Sequence, residues 1–501
     1  MFKRHVLVGA IAAVALLVGA TPVGAGSSGT GGSERYLVVF AGDYAVDSTY
    51  AVGGGYAVLC NYAVLNGYAV TCNDAVARDY AVSLVETAGG TVTSDMLDQI
   101  GVLVADSPNA LFADLMRTYA VVQEVGQDFA ASRVPGGDPE PMNDPGEELQ
   151  WDMEQINAPA ARALQGGAPS VQVGVLDSGI DGNHVDFKKN GVSNVACELG
   201  RNSVTFLPDG PGVGVPDPCV DNQFHGTHVA GTIGARANGI GIVGVAPNVT
   251  LVPVKVCDTS GYCYASAVVD GITYSGDQKF EVINMSFFVD DNEFQESTEF
   301  KCMDDPQQRA FRRAVERAIQ YARSQGVVPV AALGNSDEDL ARPSEPNENN
   351  CDVVPAESSG VIGTSALGSN KEKARYSNYG TGANDVSAPG GNGTTGDCGR
   401  TVLSTIPGGY LCIQGTSMAS PHTAGVAALI VSQFGTVGQD GDVKMSPTAV
   451  ESILQSTSVD QGLSGYDECF GHGRIDALRA VTKDTPKASD AAAPPSPEHS
   501  E

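Results

Sequence analysis

The chain has 501 residues, 42% hydrophobic and 18% charged, which is typical of a globular protein with a large core and excludes a disordered chain. Its 59 acidic and 29 basic residues give a formal charge of -30, which argues against nucleic acid or an anionic membrane as partner. The eleven cysteines are typical of an exported protein.

The first residues have the features of an export signal. Lys3 and Arg4 precede an apolar stretch at 6–20, and small residues continue to Ala25. We predict a secretory signal peptide over 1–25. The alternative, a retained membrane anchor, is disfavoured because the stretch is short and wrongly flanked. We therefore expect a secreted, extracellular protein with no membrane association.

A small domain is predicted within residues 26–140, after a Gly/Ser linker. The patterns indicate strands at 36–40, 100–105 and 120–125 and helices at 74–87 and 110–119. This order of elements predicts a small ferredoxin-like α+β fold.

A six-residue repeat, Tyr-Ala-Val with three variable residues, interrupts this domain over 44–82. In an extended chain, this period would place every Tyr and Val on one face. A binding ribbon is one interpretation. An expanded low-complexity insertion is favoured because the variable positions carry Gly, Asn, Asp and Cys. We assign the repeat no function.

The remainder of the chain divides into a main domain at 141–484 and a disordered tail at 485–501, after a junction at 136–145 that is rich in Pro, Gly and acidic residues. In the main domain, apolar runs alternate with helical patterns, which predicts an α/β fold whose mostly parallel sheet has helices on both faces. Functional residues are then expected at the carboxyl ends of strands. The predicted strands are 171–176, 250–256, 282–285, 327–332 and 361–364, with helices near Ser266 and over 309–325 and 417–433.

Three motifs supply an acid, a base and a nucleophile in that order. They are Asp177-Ser-Gly, His225-Gly-Thr-His-Val-Ala-Gly and Gly-Thr-Ser417-Met-Ala-Ser-Pro. Such a set converts a serine hydroxyl into a nucleophile that attacks carbonyl groups. Taken alone, Asp177 could be a turn residue and Ser417 a helix cap, but the complete set favours catalysis.

Together with Ala-Ala-Leu-Gly-Asn335 and two further matches, at 386–390 and 471–477, these motifs make residues 149–481 resemble a subtilisin-type serine peptidase. The resemblance implies a secreted endopeptidase of proteins or peptides with Asn335 as second oxyanion donor. It also implies a monomer and an inhibitory propeptide formed by the small domain. The alternative is a catalytically weak or non-catalytic binding protein on this fold.

The resemblance also suggests where substrate binds. After Asn284-Met-Ser286, where relatives have Leu-Gly-Gly and bind substrate as an added strand, this chain has Phe287-Phe288-Val289. Bulk in place of glycines predicts narrower binding. The expected substrate-binding residues are Ser286, Phe287, Phe288, Ala331, Ala332, Leu333 and Gly334.

A structural calcium site is a further implication of the resemblance. Glu147, Asp186 and Asn238 fall at positions that match its ligands. Their oxygen atoms suit Ca²⁺. The alternative is a surface Asp and a turn Asn.

Cysteine spacing favours the disulfides Cys257–Cys263 and Cys398–Cys412. Cys197–Cys219 and Cys302–Cys351 are weaker assignments, and Cys469 is left over. Zinc is disfavoured because no two Cys-x2-Cys units exist. His184, His228 and His422 are interpreted as structural. A metal pair at His225 and His228 lacks the glutamate that zinc proteases of this kind require.

Overall fold

The computed structural model describes residues 33–41, 74–128, 130–133, 146–206, 217–287, 306–341, 352–438 and 443–485. The predicted signal peptide, the junction at 136–145 and nearly all of the predicted tail lie outside the described residues. So do most of the repeat, Phe288, and the predicted pair Cys302–Cys351.

The small unit, residues 33–133, has the three strands and two helices that the sequence pattern indicated, and it adds two further strands and one short helix. Its antiparallel sheet has the strand order β2-β3-β1-β4. The sequence did not predict β2, whose residues are mostly half-buried and show no alternation. The last two repeat motifs lie in helix α1, where a six-residue period places them on different faces. The elements are β1 (Glu34–Phe40), α1 (Asp74–Thr87), β2 (Thr91–Met96), α2 (Leu97–Ile100), β3 (Val102–Ser107), α3 (Phe112–Arg117), β4 (Val122–Gln127) and β5 (Ala130–Arg133).

The large unit, residues 146–485, contains the predicted alternation of strands and helices. The elements are α4 (Trp151–Gln155), α5 (Ala158–Leu164), β6 (Gln172–Asp177), β7 (Lys188–Lys189), β8 (Val192–Ser193), β9 (Arg201–Asn202), α6 (His225–Gly234), β10 (Thr250–Lys255), β11 (Tyr262–Tyr264), α7 (Ala265–Gln278), β12 (Val282–Met285), α8 (Pro306–Ser324), β13 (Val328–Ala332), β14 (Ile362–Leu367), β15 (Val386–Pro389), β16 (Val402–Ile406), β17 (Gly409–Ile413), α9 (Thr416–Phe434), β18 (Thr436–Val437), β19 (Val443–Lys444), α10 (Pro447–Thr457) and α11 (Ala477–Thr482).

Seven strands form the central sheet, in the order β15-β14-β13-β12-β6-β10-β9. All of their pairings are parallel, which confirms the predicted sheet. Strands β13, β12 and β6 are neighbours, so their carboxyl ends meet at one edge. Asp177, Ser286 and Asn335 lie at or just after these three ends.

The sheet is covered on both faces, as predicted. On β6, Val173 and Val175 pack in a core with α6 and α9, whereas Leu176 packs on the other side with α7 and α8. This alternation follows from the two-residue period of a strand. Continuous burial of the strands is the reason why they read as unbroken apolar runs.

The small unit packs on α8 through its sheet. In β1, Tyr36 and Val38 lie in the unit's own core, together with residues of α1 and α3. Leu37 and Val39 point to the opposite face and share a core with Phe311 of α8. Both faces of β1 are therefore buried.

Three disulfides link described residues: Cys197–Cys219, Cys257–Cys263 and Cys398–Cys412. All three were predicted, and Cys469 is a buried free thiol. In the described part of the chain, no helix is both long and apolar enough to cross a membrane.

Candidate active site

Asp177 and His225 meet where β6 ends and α6 begins. His225 Nδ1 lies 2.9 Å from Asp177 Oδ1 and 3.0 Å from Oδ2, and neither side chain is exposed. A carboxylate can only accept, so Nδ1 carries the proton and Nε2 carries the lone pair. In the described structure, Nε2 is buried with no hydrogen-bond partner. The imidazole is therefore oriented as a base.

The residue after His225 must be glycine for this contact to form. A Cβ on Gly226 would collide with the carbonyl oxygen of Gly179 and lie 3.1 Å from Asp177 Cβ. The His-Gly-Thr-His motif therefore reflects a close approach of α6 to the end of β6.

Asp221 holds the start of α6 through hydrogen bonds, and the sequence analysis did not identify it. Its Oδ1 accepts from Ser178 Oγ and from the amides of Gln223 and Phe224, and its Oδ2 accepts from the amide and hydroxyl of Thr227. An aspartate shortly before a helix start is a capping signal, and this was the one available clue. Asp221 thereby fixes the helix that carries His225.

Ser417 lies in the first turn of α9, where its amide N–H has no acceptor within the helix. Its Oγ donates to the carbonyl of Ser286 at 3.0 Å. Pro421 lacks the N–H that would bond the Ser417 carbonyl, and Ser286 Oγ donates to that carbonyl instead, at 2.9 Å. Backbone and side chain of Ser286 therefore both hold Ser417.

The Asn335 amide is oriented by its neighbour in the crevice. Oδ1 accepts from Thr416 N and from Thr416 Oγ1, each at 2.9 Å. Because Thr416 N can only donate, the oxygen must face it, and Nδ2 points away. A Cβ on Gly415 would lie 3.6 Å from Ser417 N and 3.7 Å from Asn335 Nδ2. A position beside Gly415 is therefore close to both Ser417 N and the side-chain amide of Asn335.

The three histidines interpreted as structural are all held in the interior. His184 and His228 each contact a backbone carbonyl through Nε2, those of Gly409 and Leu411. Burial is the main cause that lowers the pKa of His228 to about 3, and the nearby His225 lowers it further. His422 contacts the Met418 carbonyl and Asp152.

The expected substrate residues that the structure describes lie at one edge of the sheet. Ser286 is buried and holds Ser417, and Phe287 is buried in the core beside α7 and α8. The buried residues 331–334 span the carboxyl end of β13, and Gly334 N donates to Thr416 Oγ1. Strand β11 lies nearby, because Cys257 N donates to the Asp177 carbonyl and Cys257 is bonded to Cys263 of β11.

Of the three expected calcium ligands, two lie together. Asn238 Nδ2 donates to the carbonyls of Val185 and Lys188, which flank Asp186. The carboxylate of Asp186 accepts from Ile242 N at 2.8 Å. Glu147 instead pairs with Arg162 at 3.4 Å. The described residues bring together no group of three His, Cys, Asp or Glu side chains suited to a metal.

Residues 169–473 match the Subtilase family of peptidases, which is more than half of the chain. The chain belongs to the Subtilase family. It is 34% identical over 328 residues to subtilisin DY of Bacillus licheniformis, an alignment that covers 65% of this chain and 96% of that relative. It is 33% identical over 338 residues to subtilisin E of Bacillus subtilis, an alignment that covers 67% of this chain and 72% of that relative.

Two solved structures are similar in fold. The epidermin leader peptide processing serine protease of Staphylococcus aureus superposes with a TM-score of 0.66 at 19% identity, covering 91% of this chain and all of that one. A lanthipeptide protease gives a TM-score of 0.54 at 25% identity, covering 67% and 95%. The protein is thus a serine-type endopeptidase of the subtilase family, which acts on proteins or peptides.

Proposed function

We propose that this subtilase is a secreted endopeptidase that cleaves peptide bonds through an acyl-enzyme on Ser417. His225 is the general base, Asp177 orients it, and Ser417 N with Asn335 Nδ2 forms the oxyanion hole. The observation that carries this proposal is the buried Asp177–His225 contact, which leaves the Nε2 lone pair as the acceptor in the crevice.

In the first step, Ser417 Oγ attacks the substrate carbonyl carbon and its proton passes to His225 Nε2. The negative charge on Asp177 stabilises the imidazolium. The new oxyanion accepts from the two N–H donors flanking Gly415. The C–N bond then breaks, and His225 returns the proton to the leaving amine. Water attacks the acyl-enzyme by the same proton path, which releases the acid and restores Ser417.

Ser417→Ala tests this function. It removes the nucleophile, so we expect turnover of peptide substrates to fall on the order of 10⁶-fold, as for removal of the serine in this mechanism. Peptide hydrolysis at the parent rate would refute the assignment.

The alternative, a binding protein that has lost catalysis, is not favoured because no catalytic side chain is missing. A phosphonate reagent that phosphonylates active serines separates the two hypotheses. An adduct at Ser417 in the processed enzyme supports catalysis, and its absence supports the alternative.

The small unit is proposed to be an inhibitory propeptide, with the processed enzyme starting between about Ala131 and Glu147. Strand β5, the last element of the small unit, pairs antiparallel with β11, as a peptide does when it binds by strand addition. Asp128, just before β5, accepts from Ser266 N in the first turn of α7 at 2.9 Å. The chain therefore leaves the small unit along an edge that a substrate would use.

We propose that substrate lies along β11, opposite the segments 286–288 and 331–334. Phe287 is buried in the core, so we propose that Phe288 restricts the residues accepted near the cleaved bond. Profiling with a diverse peptide mixture tests this, compared between the parent and a Phe288→Gly variant. A broader set of cleaved sequences in the variant is expected, and identical profiles would contradict the idea.

Calcium is proposed at Asp186 and Asn238, which lie in two loops joined by hydrogen bonds from the Asn238 side chain and which carry oxygen donors. Glu147 must leave Arg162 to serve as third ligand. A site bound only in the folded state stabilises by RT ln(1 + [L]/Kd), about 4 kcal/mol at a thousandfold excess. Chelation should therefore lower the melting temperature of the processed parent and leave an Asp186→Asn variant unaffected. Equal melting with and without chelator would remove this proposal.

Export is proposed from residues 1–25, with the cut after Ala25, and the processed enzyme is proposed to act as a monomer outside the cell. The three disulfides support an oxidising compartment. N-terminal sequencing of the culture supernatant protein and light scattering test these statements.

A further inference from the structure

Helix α9 carries one ionisable side chain, His422, five residues after Ser417. The ring is fully buried, and each of its nitrogens contacts an oxygen. Nδ1 lies 2.8 Å from the Met418 carbonyl, and Nε2 lies 2.9 Å from Oδ2 of Asp152, which is also fully buried. The interior of the enzyme therefore holds a second His–Asp contact besides that of His225.

Oxygen acceptors at both nitrogens fix the number of protons in this pair. A carbonyl cannot donate, so Nδ1 of His422 carries hydrogen. The contact between Nε2 and the carboxyl group needs one more proton, either on the ring or on Asp152. In both cases the pair holds one proton more than a neutral histidine with an ionised aspartate. The two forms belong to one coupled pair.

Loss of that proton would be costly in this position. It would leave a buried carboxylate facing a ring lone pair. Among the described residues, Asp152 Oδ1 has no hydrogen-bond partner, so the carboxylate depends on His422. An unpaired buried charge is strongly unfavourable. The contact can persist only while the proton is present.

Contacts to other parts of the fold fix both ends of the pair. Gln150, just before α4, accepts from Val243 N at 2.9 Å and donates to its carbonyl, and Trp151 Nε1 donates to the Thr401 carbonyl at 3.0 Å. The other end binds the carbonyl of Met418, the residue that follows Ser417.

We propose that the proton-bearing Asp152–His422 pair positions the first turn of α9, and with it Ser417, and that loss of this proton at alkaline pH misplaces the nucleophile. The proposal rests on the proposed role of Ser417. Asp152 and His422 are thus positioning residues that act through the helix.

The charged groups near this pair do not themselves account for the proposed change in activity at alkaline pH. His228 of α6 interacts with His422, but its pKa of about 3 keeps it neutral at alkaline pH. Arg162 of α5 interacts with Asp152 and with Glu154 of α4. A guanidinium and a surface carboxylate both keep their charges above neutral pH.

Asp152→Asn tests the proton directly. The Asn amide donates to Nε2 of a neutral ring whose Nδ1 still donates to Met418, so the contact survives without the extra proton. We expect the alkaline fall in kcat/KM to shift by at least about one pH unit or to disappear. Asp152→Ala should lower kcat on the order of 10- to 100-fold with little change in KM. Glu154→Gln, an exposed change on the same helix, is the control and should follow the parent.

An Asp152→Asn profile that coincides with the parent profile would overturn the proposal, as would a parent-like kcat in Asp152→Ala. A merely structural role would lower the melting temperature of both variants and leave the pH profile in place. Phosphonate labelling keeps the two hypotheses apart. Absence of an adduct at Ser417 in the parent defeats the proposed function. An adduct with an unchanged profile defeats the positioning pair alone.

Discussion

The crevice around Ser417 and the interface between the small unit and α8 both contain polar contacts, but these contacts are built differently. In the crevice, short side chains are held by backbone groups of neighbouring elements, as Asn335 is held by the Thr416 amide at the start of α9. At the interface, long arginine side chains of α8 reach across. Arg317 donates to the carbonyls of Phe40 and Ile100 at 3.0 and 3.2 Å.

Charged pairs at this interface are partly exposed. Arg309 and Arg313 each lie 3.4 Å from Glu124 Oε1, with side chains 29% and 42% exposed. Exposed ion pairs contribute little and are screened by salt. The partly exposed pairs agree with the proposal that the small unit is released after processing.

The largest effect is expected from Asp177→Asn in the crevice. The Asn amide donates to His225 Nδ1, which forces the ring proton onto Nε2 and removes the lone pair needed to accept from Ser417. We expect kcat to fall about 10⁴-fold. Asp181→Asn, four residues further along the same loop, is the control and should stay within about twofold. A loss below tenfold for Asp177→Asn would show that the tautomer argument is wrong.

Asn335→Ala is the next largest change. It deletes the Nδ2 donor, whose contribution appears only when negative charge develops, so we expect kcat to fall about 10²- to 10³-fold with KM nearly constant. Thr416→Val keeps the amide contact to Oδ1 and loses the hydroxyl contact, and a smaller loss is expected. A rise in KM at constant kcat would place Asn335 in substrate binding instead.

At the interface, Glu124→Arg should affect release and leave catalysis intact. The new charge faces Arg309 and Arg313, so the small unit should dissociate about tenfold faster after processing, and the difference should shrink at high salt. The measurement is the onset of peptidase activity in the full chain. Glu86→Arg, an exposed site on α1, is the matched control. Slower onset in Glu124→Arg would contradict the interface.

The smallest effect concerns stability and lies outside both regions. Burial raises the pKa of Asp385 to about 7, although hydrogen bonds from Gly363 N and the Gln455 side chain lower it. The folded state therefore binds a proton more readily than the unfolded chain, and the free energy of unfolding falls as pH rises from about 4 to 7.

In the parent, the free energy of unfolding should fall by about 1–3 kcal/mol because of Asp385, and Asp385→Asn should remove this fall. Chemical unfolding at pH 5 and pH 8 measures it. An equal pH dependence in parent and variant would show that the carboxyl group stays ionised in the folded state.

The strands of the sheet and the positions of Asp177, His225, Ser417 and Asn335 could be predicted because each has a local signal. Buried parallel strands give continuous apolar runs, and the motifs are contiguous in sequence. Strands β9 and β15 were not predicted and have no such run, since β9 is two polar residues and β15 is short and ends in proline.

The support of the site could not be predicted, because its contacts join residues far apart in the chain. Asp221 and Thr416 look like ordinary turn or cap residues, and Asp152 is 270 residues from His422. The pairing of β5 with β11 likewise depends on how two units pack. Local patterns give no information on such contacts.

Pro421 makes the helix of the nucleophile dependent on a distant strand. A helix with alanine at that position would satisfy the Ser417 carbonyl itself, and Ser286 would then need another acceptor. Positions 286 and 421 should therefore behave as an epistatic pair, in which each substitution is harmful alone and less harmful beside its partner. Directed evolution of this enzyme would have to change them together, so single-site libraries would underestimate how far this part of the crevice can be remodelled.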